Sequence, residues 1–364
     1  MHKKRISVGA SALLGIAIFV LGIFTPFIAN ATPVLADPGR YKVELFSDFS
    51  SFGRLKAWQL SISGGQNGFG PGMYVTSGPL PDDRSDRLLA INSAGQASVV
   101  KSGLVSNESL VFAKGAYGQG MLVTEPQQQR ILRILADGTT TVFAANFTAP
   151  FGPAVLTYGP DPLNPSQEVL YATDFSSGNV LILAPDGSVS PFSFLAAQDK
   201  ILALDAFGRY GGRFVAGIFN FASNPDTGKI YSVSADGATV NLLADGLNGI
   251  QLMSFGPGGE FGSKLFVASE GRDFPTQQVG AGAVFTLETD GTLTPFLTGI
   301  DAASIAFDTE GVLGGGMFVA DIVDDPNAPS RIWRITAIPE PEMLPLVSLA
   351  LVIGMGMSRN RKRS

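Results

Sequence analysis

The chain contains no cysteine and a single histidine, His2. Without thiols it builds no disulfide, no thiolate nucleophile and no Cys-ligated metal site. His2 lies in the basic start of the chain, so residues 32–338 hold no imidazole at all. That removes the Ser-His-Asp triad, His-ligated zinc and haem ligation by histidine. Basic residues are also scarce: of 25 Lys and Arg, three sit at the start and four at the tip, leaving 18 between residues 32 and 338. The same stretch carries 29 of the 31 acidic residues, a net of −11. Such a surface disfavours nucleic acid and anionic lipid, and suits solubility or cation binding.

Both termini carry sorting features. His2-Lys3-Lys4-Arg5 is a basic n-region, residues 10–28 form an apolar h-region, and Ala29-Asn30-Ala31 gives a small-x-small cleavage pattern. Val34-Leu35-Ala36 is a second, weaker cleavage candidate. At the other end, Pro339-Glu340-Pro341 precedes an apolar run over residues 343–357 and the basic residues Arg359, Arg361, Lys362 and Arg363. The run is short for a span, since a hydrocarbon core of roughly 30 Å takes about 20 helical residues. Basic residues beyond it keep the tip cytoplasmic and place everything before it outside the inner membrane. Pro339 and Pro341 hold an extended stretch that a protease can grip. The three parts in this order resemble the PEP-CTERM sorting signal. The resemblance implies processing by signal peptidase and an exosortase-type enzyme, transient anchoring by the C-terminal segment, and residence at the cell surface or in the matrix of a Gram-negative bacterium.

Between the termini the sequence repeats. Ile131-Leu-Arg-Ile-Leu-Ala-Asp-Gly138, Val180-Leu-Ile-Leu-Ala-Pro-Asp-Gly187, Ile230-Tyr-Ser-Val-Ser-Ala-Asp-Gly237 and Val284-Phe-Thr-Leu-Glu-Thr-Asp-Gly291 are each an apolar strand ending in a hairpin turn; Arg87 to Gly95 is a fifth copy. The turn glycines stand 43, 49, 50 and 54 residues apart, the period of a propeller blade. A second element precedes each hairpin, among them Gly72-Met-Tyr-Val-Thr76, Gly120-Met-Leu-Val-Thr124, Gly212-Arg-Phe-Val-Ala216 and Gly316-Met-Phe-Val-Ala320. With a third apolar stretch ahead of each, the pattern predicts six blades of strands a, b, c and d running outward from an axis. The sixth copy, Arg331-Ile-Trp-Arg-Ile-Thr336, meets the sorting signal before any strand d, whereas residues 41–47 form a β-rich run upstream of the first strand a. That run is expected to supply the missing strand. The chain thus reads as a signal peptide (1–31), an all-β six-bladed propeller (32–338) closed by its N-terminal strand, and a sorting segment (339–364) with a short transmembrane helix.

On these hairpins, and on strand ends such as Leu170-Tyr-Ala-Thr-Asp174, the body resembles the propellers of the NHL, strictosidine-synthase-like and gluconolactonase-like group. The group hosts hydrolases, lyases and pure binding proteins, so the likeness speaks to fold.

The residue following strand b reads as Glu125, Asp174, Glu270 and Asp321 in four blades, and as Ser77 and Gly217 in the others. If equivalent, these acids would lie at one level around the axis, and carboxylates with amide oxygens suit Ca²⁺, which takes six to eight oxygen ligands. The competing expectation is that they cap turns by accepting backbone N–H groups. Asp205 and Asp308, at the ends of strand a, are further candidates with the same competing reading. Asn107-Glu108-Ser109 reads as a glycosylation sequon, and Trp58 and Trp333 as core residues. Two functions follow: an exported binding or scaffold module, for exopolysaccharide or another envelope protein, or a Ca²⁺-dependent hydrolase of gluconolactonase type using channel carboxylates.

Overall fold

Apolar character falls from the second strand of each repeat to the fourth. In the second repeat the burial runs from a fully buried Met121–Glu125, through a half-buried Arg130–Ile134, to a mostly open Thr140–Ala145. A strand clamped between neighbouring sheets must be apolar on both faces, while an outer strand keeps one face in water. The computed structural model describes residues 32–339 except 54, 79–85, 165, 176, 195–199, 205–208, 211–213, 219–227, 235, 248, 274–277, 280–281 and 323–327. The signal-peptide reading, with Ala29 and Ala31, and the sorting segment from Glu340 onward, with Pro341, Arg359, Arg361, Lys362 and Arg363, lie outside the described residues. No helix among the described residues is long and apolar enough to cross a membrane.

The structure is an all-β, six-bladed propeller. Two strands precede the first blade, β1 (Val34–Leu35) and β2 (Tyr41–Asp48). Blade 1 is β3 (Lys56–Gly64), β4 (Pro71–Gly78), β5 (Asp86–Ile91) and β6 (Ala97–Leu104). Blade 2 is β7 (Leu110–Phe112), β8 (Met121–Glu125), β9 (Arg130–Ile134) and β10 (Thr140–Ala145). Blade 3 is β11 (Pro153–Pro160), β12 (Glu168–Asp174), β13 (Asn179–Leu183) and β14 (Val189–Phe194). Blade 4 is β15 (Lys200–Leu204), β16 (Phe214–Ile218), β17 (Ile230–Val233) and β18 (Val240–Ala244). Blade 5 is β19 (Ile250–Phe255), β20 (Leu265–Ser269), then, after a small hairpin of β21 (Arg272–Asp273) and β22 (Gln278–Val279), β23 (Ala283–Leu287) and β24 (Leu293–Thr298). Blade 6 is β25 (Ala302–Asp308), β26 (Gly316–Asp321) and β27 (Arg331–Ala337), with β2 as its fourth strand.

The expected closure is present: β2 runs antiparallel to β27 from Tyr41 opposite Ala337 to Asp48 opposite Arg331. Joining the two ends of the chain in one sheet removes an open edge and ties blade 6 to the start of the ring. The sequence did not reveal β1, which adds a fifth strand outside blade 5, with Val34 opposite Thr298 and Leu35 opposite Leu297.

Six hydrophobic clusters fill the six junctions between neighbouring blades. The junction of blades 6 and 1 packs Phe318, Ala320 and Ile332 against Leu60, Val75 and Leu89; that of blades 2 and 3 packs Leu122 and Ile131 against Leu156, Leu170 and Leu181. Each such side chain contributes about 1.5–3 kcal/mol when fully buried. Trp333 lies in the cluster between blades 5 and 6, and Trp58 packs against that between blades 6 and 1, as core residues. Because strands alternate in direction, the a–b loops and c–d turns share one face, called here the turn face. The b–c loops and the connections between blades share the other, the linker face.

Candidate functional site

The acids at the ends of the b strands lie on the linker face, and ladder register decides which are equivalent. The last b–c pairs are Ser77 with Arg87, Glu125 with Arg130, Asp174 with Asn179, Ser269 with Ala283 and Asp321 with Arg331. In blade 4, Phe214 pairs with Val233 as Leu265 pairs with Leu287, and Lys200 with Ile218 as Ile250 with Ser269. Ile218, not Gly217, therefore holds the equivalent place, and in blade 5 it is Ser269, not Glu270. The expected four acids at one level become three, in blades 2, 3 and 6.

Each of the three is buried and engaged. Glu125 is fully inaccessible; its Oε2 accepts Arg130 Nε–H at 2.6 Å and its Oε1 the amide of Val105 at 2.7 Å. Asp174 Oδ2 accepts the amide of Thr148 at 3.2 Å, and Oδ1 that of Ser177 at 3.4 Å. Asp321 Oδ1 accepts the amide of Asp301 at 3.1 Å and Oδ2 the indole N–H of Trp333 at 3.1 Å. Val105, Thr148 and Asp301 all lie on the connection that leads into the acid's own blade. The physical logic is common to all three: a buried carboxylate is costly unless charge-assisted donors satisfy it, and a connecting segment has amides to offer.

Glu270 is nearly inaccessible, and its main chain does another job. Its N–H donates to Gly249 O at 3.0 Å, the bond that Phe175 makes to Gly152 and Ile322 to Asp301. In blade 1 the acid that serves a connection is Asp86, one strand later than expected, whose Oδ2 accepts the amide of Asn107 at 3.1 Å. Asn107 is itself buried and donates Nδ2–H to Arg87 O, so the sequon does not lie on the surface. Asp308 accepts the amides of Val312, Leu313 and Gly315 and caps the a–b loop of blade 6. Asp205 lies outside the described residues.

What such an arrangement can do depends on convergence. A carboxylate has about four acceptor positions, so two amide bonds do not exhaust it. A Ca²⁺ site needs several such groups around one point. Among the described residues no three acidic side chains come together in a metal-binding group.

Sequence reasoning missed a second set of polar residues, which stitch the inner strands to one another. Thr76, Thr124 and Thr173, each immediately before Ser77, Glu125 and Asp174 on strand b, accept the amides of Gln59, Ser109 and Val155. Across junctions, Ser109 Oγ accepts the amide of Leu156, Gln59 Oε1 that of Leu110, and Thr124 Oγ1 donates to Ala154 O. The recurring Val-Thr and Ala-Thr ends of strand b were the available signal.

No protein-family model matches the chain, and no characterised protein matches it by sequence. Solved structures do match it in fold. A gluconolactonase from Xanthomonas campestris superposes with a TM-score of 0.58 at 15% identity, covering 85% of this chain and 95% of that one. An auxiliary nutrient binding protein from Bacteroides ovatus gives 0.56 at 13%, covering 82% and 77%. Regucalcin from Agrobacterium tumefaciens, a calcium-binding protein, gives 0.53 at 12%, covering 81% and 93%. At these identities the likeness is one of fold.

Proposed function

We infer that the chain is an exported propeller that acts as a binding or scaffold module at the cell envelope. Signal peptidase would release it at Ala31, and an exosortase-type enzyme would act on Pro339-Glu340-Pro341. Before processing the C-terminal segment would hold it in the inner membrane; afterwards it would reside at the surface or in the matrix. Its expected partners are exopolysaccharide or another envelope protein. The observation that carries the module reading is the use of the linker-face acids: Glu125, Asp174 and Asp321 each hold the connection entering their own blade. The absence of imidazole and thiol from residues 32–338 fits the same reading, as does the fold it shares with a nutrient-binding protein.

The second reading is a Ca²⁺-dependent hydrolase in which Glu125, Asp174, Glu270 and Asp321 supply ligands. It is favoured by the fold shared with a gluconolactonase and with calcium-binding regucalcin. Calorimetric titration of Ca²⁺ into the mature chain, repeated on Asp174→Ala, separates the two. The module reading expects no saturable heat at millimolar Ca²⁺. Stoichiometric binding abolished by the substitution would replace it with the hydrolase reading and call for a screen of lactone and ester substrates.

A further inference from the structure

We propose that the propeller is mounted with its turn face toward the membrane and its linker face directed away from it. The inference rests on the reading that the C-terminal segment anchors the chain. Strand β27 starts on the linker face at Arg331 and ends on the turn face at Ala337. The following residue is tied down there: Ile338 N–H donates to Arg40 O at 2.8 Å. Tyr41, opposite Ala337, donates its hydroxyl to Glu260 O in the a–b loop of blade 5 at 2.7 Å. Arg334 Nε–H reaches Gly315 O in the a–b loop of blade 6 at 3.1 Å. The chain therefore leaves the fold among the a–b loops.

Only residues 340–342 separate Pro339 from the apolar run that starts at residue 343. Fully extended, three residues reach about 10 Å. A tether that short cannot carry the chain around blade 6, whose six- to eight-residue strands are about 20–26 Å long. The turn face does not adhere by charge, because Asp137, Asp186, Asp236 and Asp290 stand fully exposed on it, each held ionised by donors of its own turn. Nearness to the bilayer is thus imposed by the tether. The same face carries Leu163, which is 95% exposed at the tip of the a–b loop of blade 3. The linker face, directed away, bears the b–c connections, among them the small hairpin of β21 and β22 in blade 5.

The lack of native cysteine makes the test direct. Leu163→Cys on the turn face and Gln127→Cys on the linker face are both exposed, and each takes one donor dye in the chain over residues 32–364, which keeps the C-terminal segment. The labelled chains are reconstituted into vesicles of phosphatidylethanolamine and phosphatidylglycerol containing an acceptor-labelled lipid. Transfer efficiency from position 163 is expected to exceed twice that from position 127. Equal or reversed efficiencies with the chain floating on the vesicles would overturn the mounting while leaving the anchor intact. A chain that fails to float would overturn the anchoring reading on which the mounting rests.

Discussion

Ser304 Oγ accepts the backbone N–H of Leu60 at 3.0 Å, joining the innermost strands of blades 6 and 1 across 244 residues of sequence. Ser304 is wholly buried and Leu60 nearly so, so no water can take the place of either partner. Ser304→Ala should therefore cost about 1–3 kcal/mol, the penalty for an orphaned buried amide. Urea denaturation should show a lower midpoint with an unchanged slope. Ser304→Thr, which keeps the hydroxyl, should recover most of the loss if the bond and not the size of the side chain matters.

Two glycines of the c–d turns separate conformational need from crowding. Gly138 and Gly187 have nearly the same left-handed backbone, with φ of 83° and 85°. A Cβ on Gly138 would meet nothing within 4 Å, whereas one on Gly187 would lie 2.0 Å from Phe143 O on the outer strand of the preceding blade. Gly138→Ala should cost about 1–2 kcal/mol, the left-handed penalty alone. Gly187→Ala adds a backbone clash at the junction of blades 2 and 3 and should lower the melting temperature clearly further. Equal losses in the two variants would refute the crowding at this junction.

The exposed turn aspartates should contribute to the acid limb of stability. The carboxyls of Asp137, Asp186 and Asp290 lie below their usual 3.8 because each accepts the amide two residues on, from Thr139, Ser188 and Thr292. Asp236 is lowered first by the hydroxyl of Ser234 and then by the amide of Ala238. An acid whose folded pKa is depressed adds stability that is present above the unfolded value and is lost as pH falls through the folded one. The contribution should thus be constant at neutral pH and disappear below pH 3.8. A variant with all four replaced by Asn keeps the acceptor and should show a flatter acid limb in a melting-temperature series.

The repeat made the blades legible, because hairpin turns and strand lengths are local properties. Closure by residues 41–47 was legible too, since blade 6 lacked a strand and one spare β-run stood upstream. Register was not. Strand b is buried on both faces in blades 2 and 5, where every residue from Met121 to Glu125 and from Leu265 to Ser269 is inaccessible. Where no face turns to water, apolar pattern does not distinguish a one-residue slip. That is why Glu270 stood in for Ser269 and Gly217 for Ile218. That the acids accept backbone amides was among the expectations, but which amides was not legible: those they hold belong to connections 20 and 26 residues away, as with Val105 and Thr148.

Glu125 offers the sharpest test of the acids as fasteners. Glu125→Gln keeps one acceptor for the Val105 amide and removes the charge that faces Arg130, which is itself 35% exposed at its side chain. Because Arg130 is partly solvated, the loss should stay at about 1–2 kcal/mol, below that for a fully buried ion pair. Glu125→Ala leaves the Val105 amide unsatisfied as well and should cost more. A ligand role would give another signature, an unchanged apo stability with weakened Ca²⁺ binding.

The short strand β1 bears on how the chain is trimmed. Leu35 is 7% exposed and belongs to the cluster that contains Leu297, Phe266 and Tyr41 between blades 5 and 6. Ala36 N–H donates to Phe296 O at 3.0 Å, which continues the ladder that Val34 and Leu35 form on β24. Cleavage after Ala31 keeps this strand; cleavage after Ala36 removes it and opens the outer edge of blade 5. Leu35→Ala should cost about 2 kcal/mol, at the low end for a buried leucine because the site lies at a sheet edge. A chain beginning at residue 37 should lose more, since main-chain pairing goes with the side chain. Thermal melting of chains beginning at residues 32 and 37 measures the difference directly. Equal melting temperatures would show that β1 adds nothing to the fold.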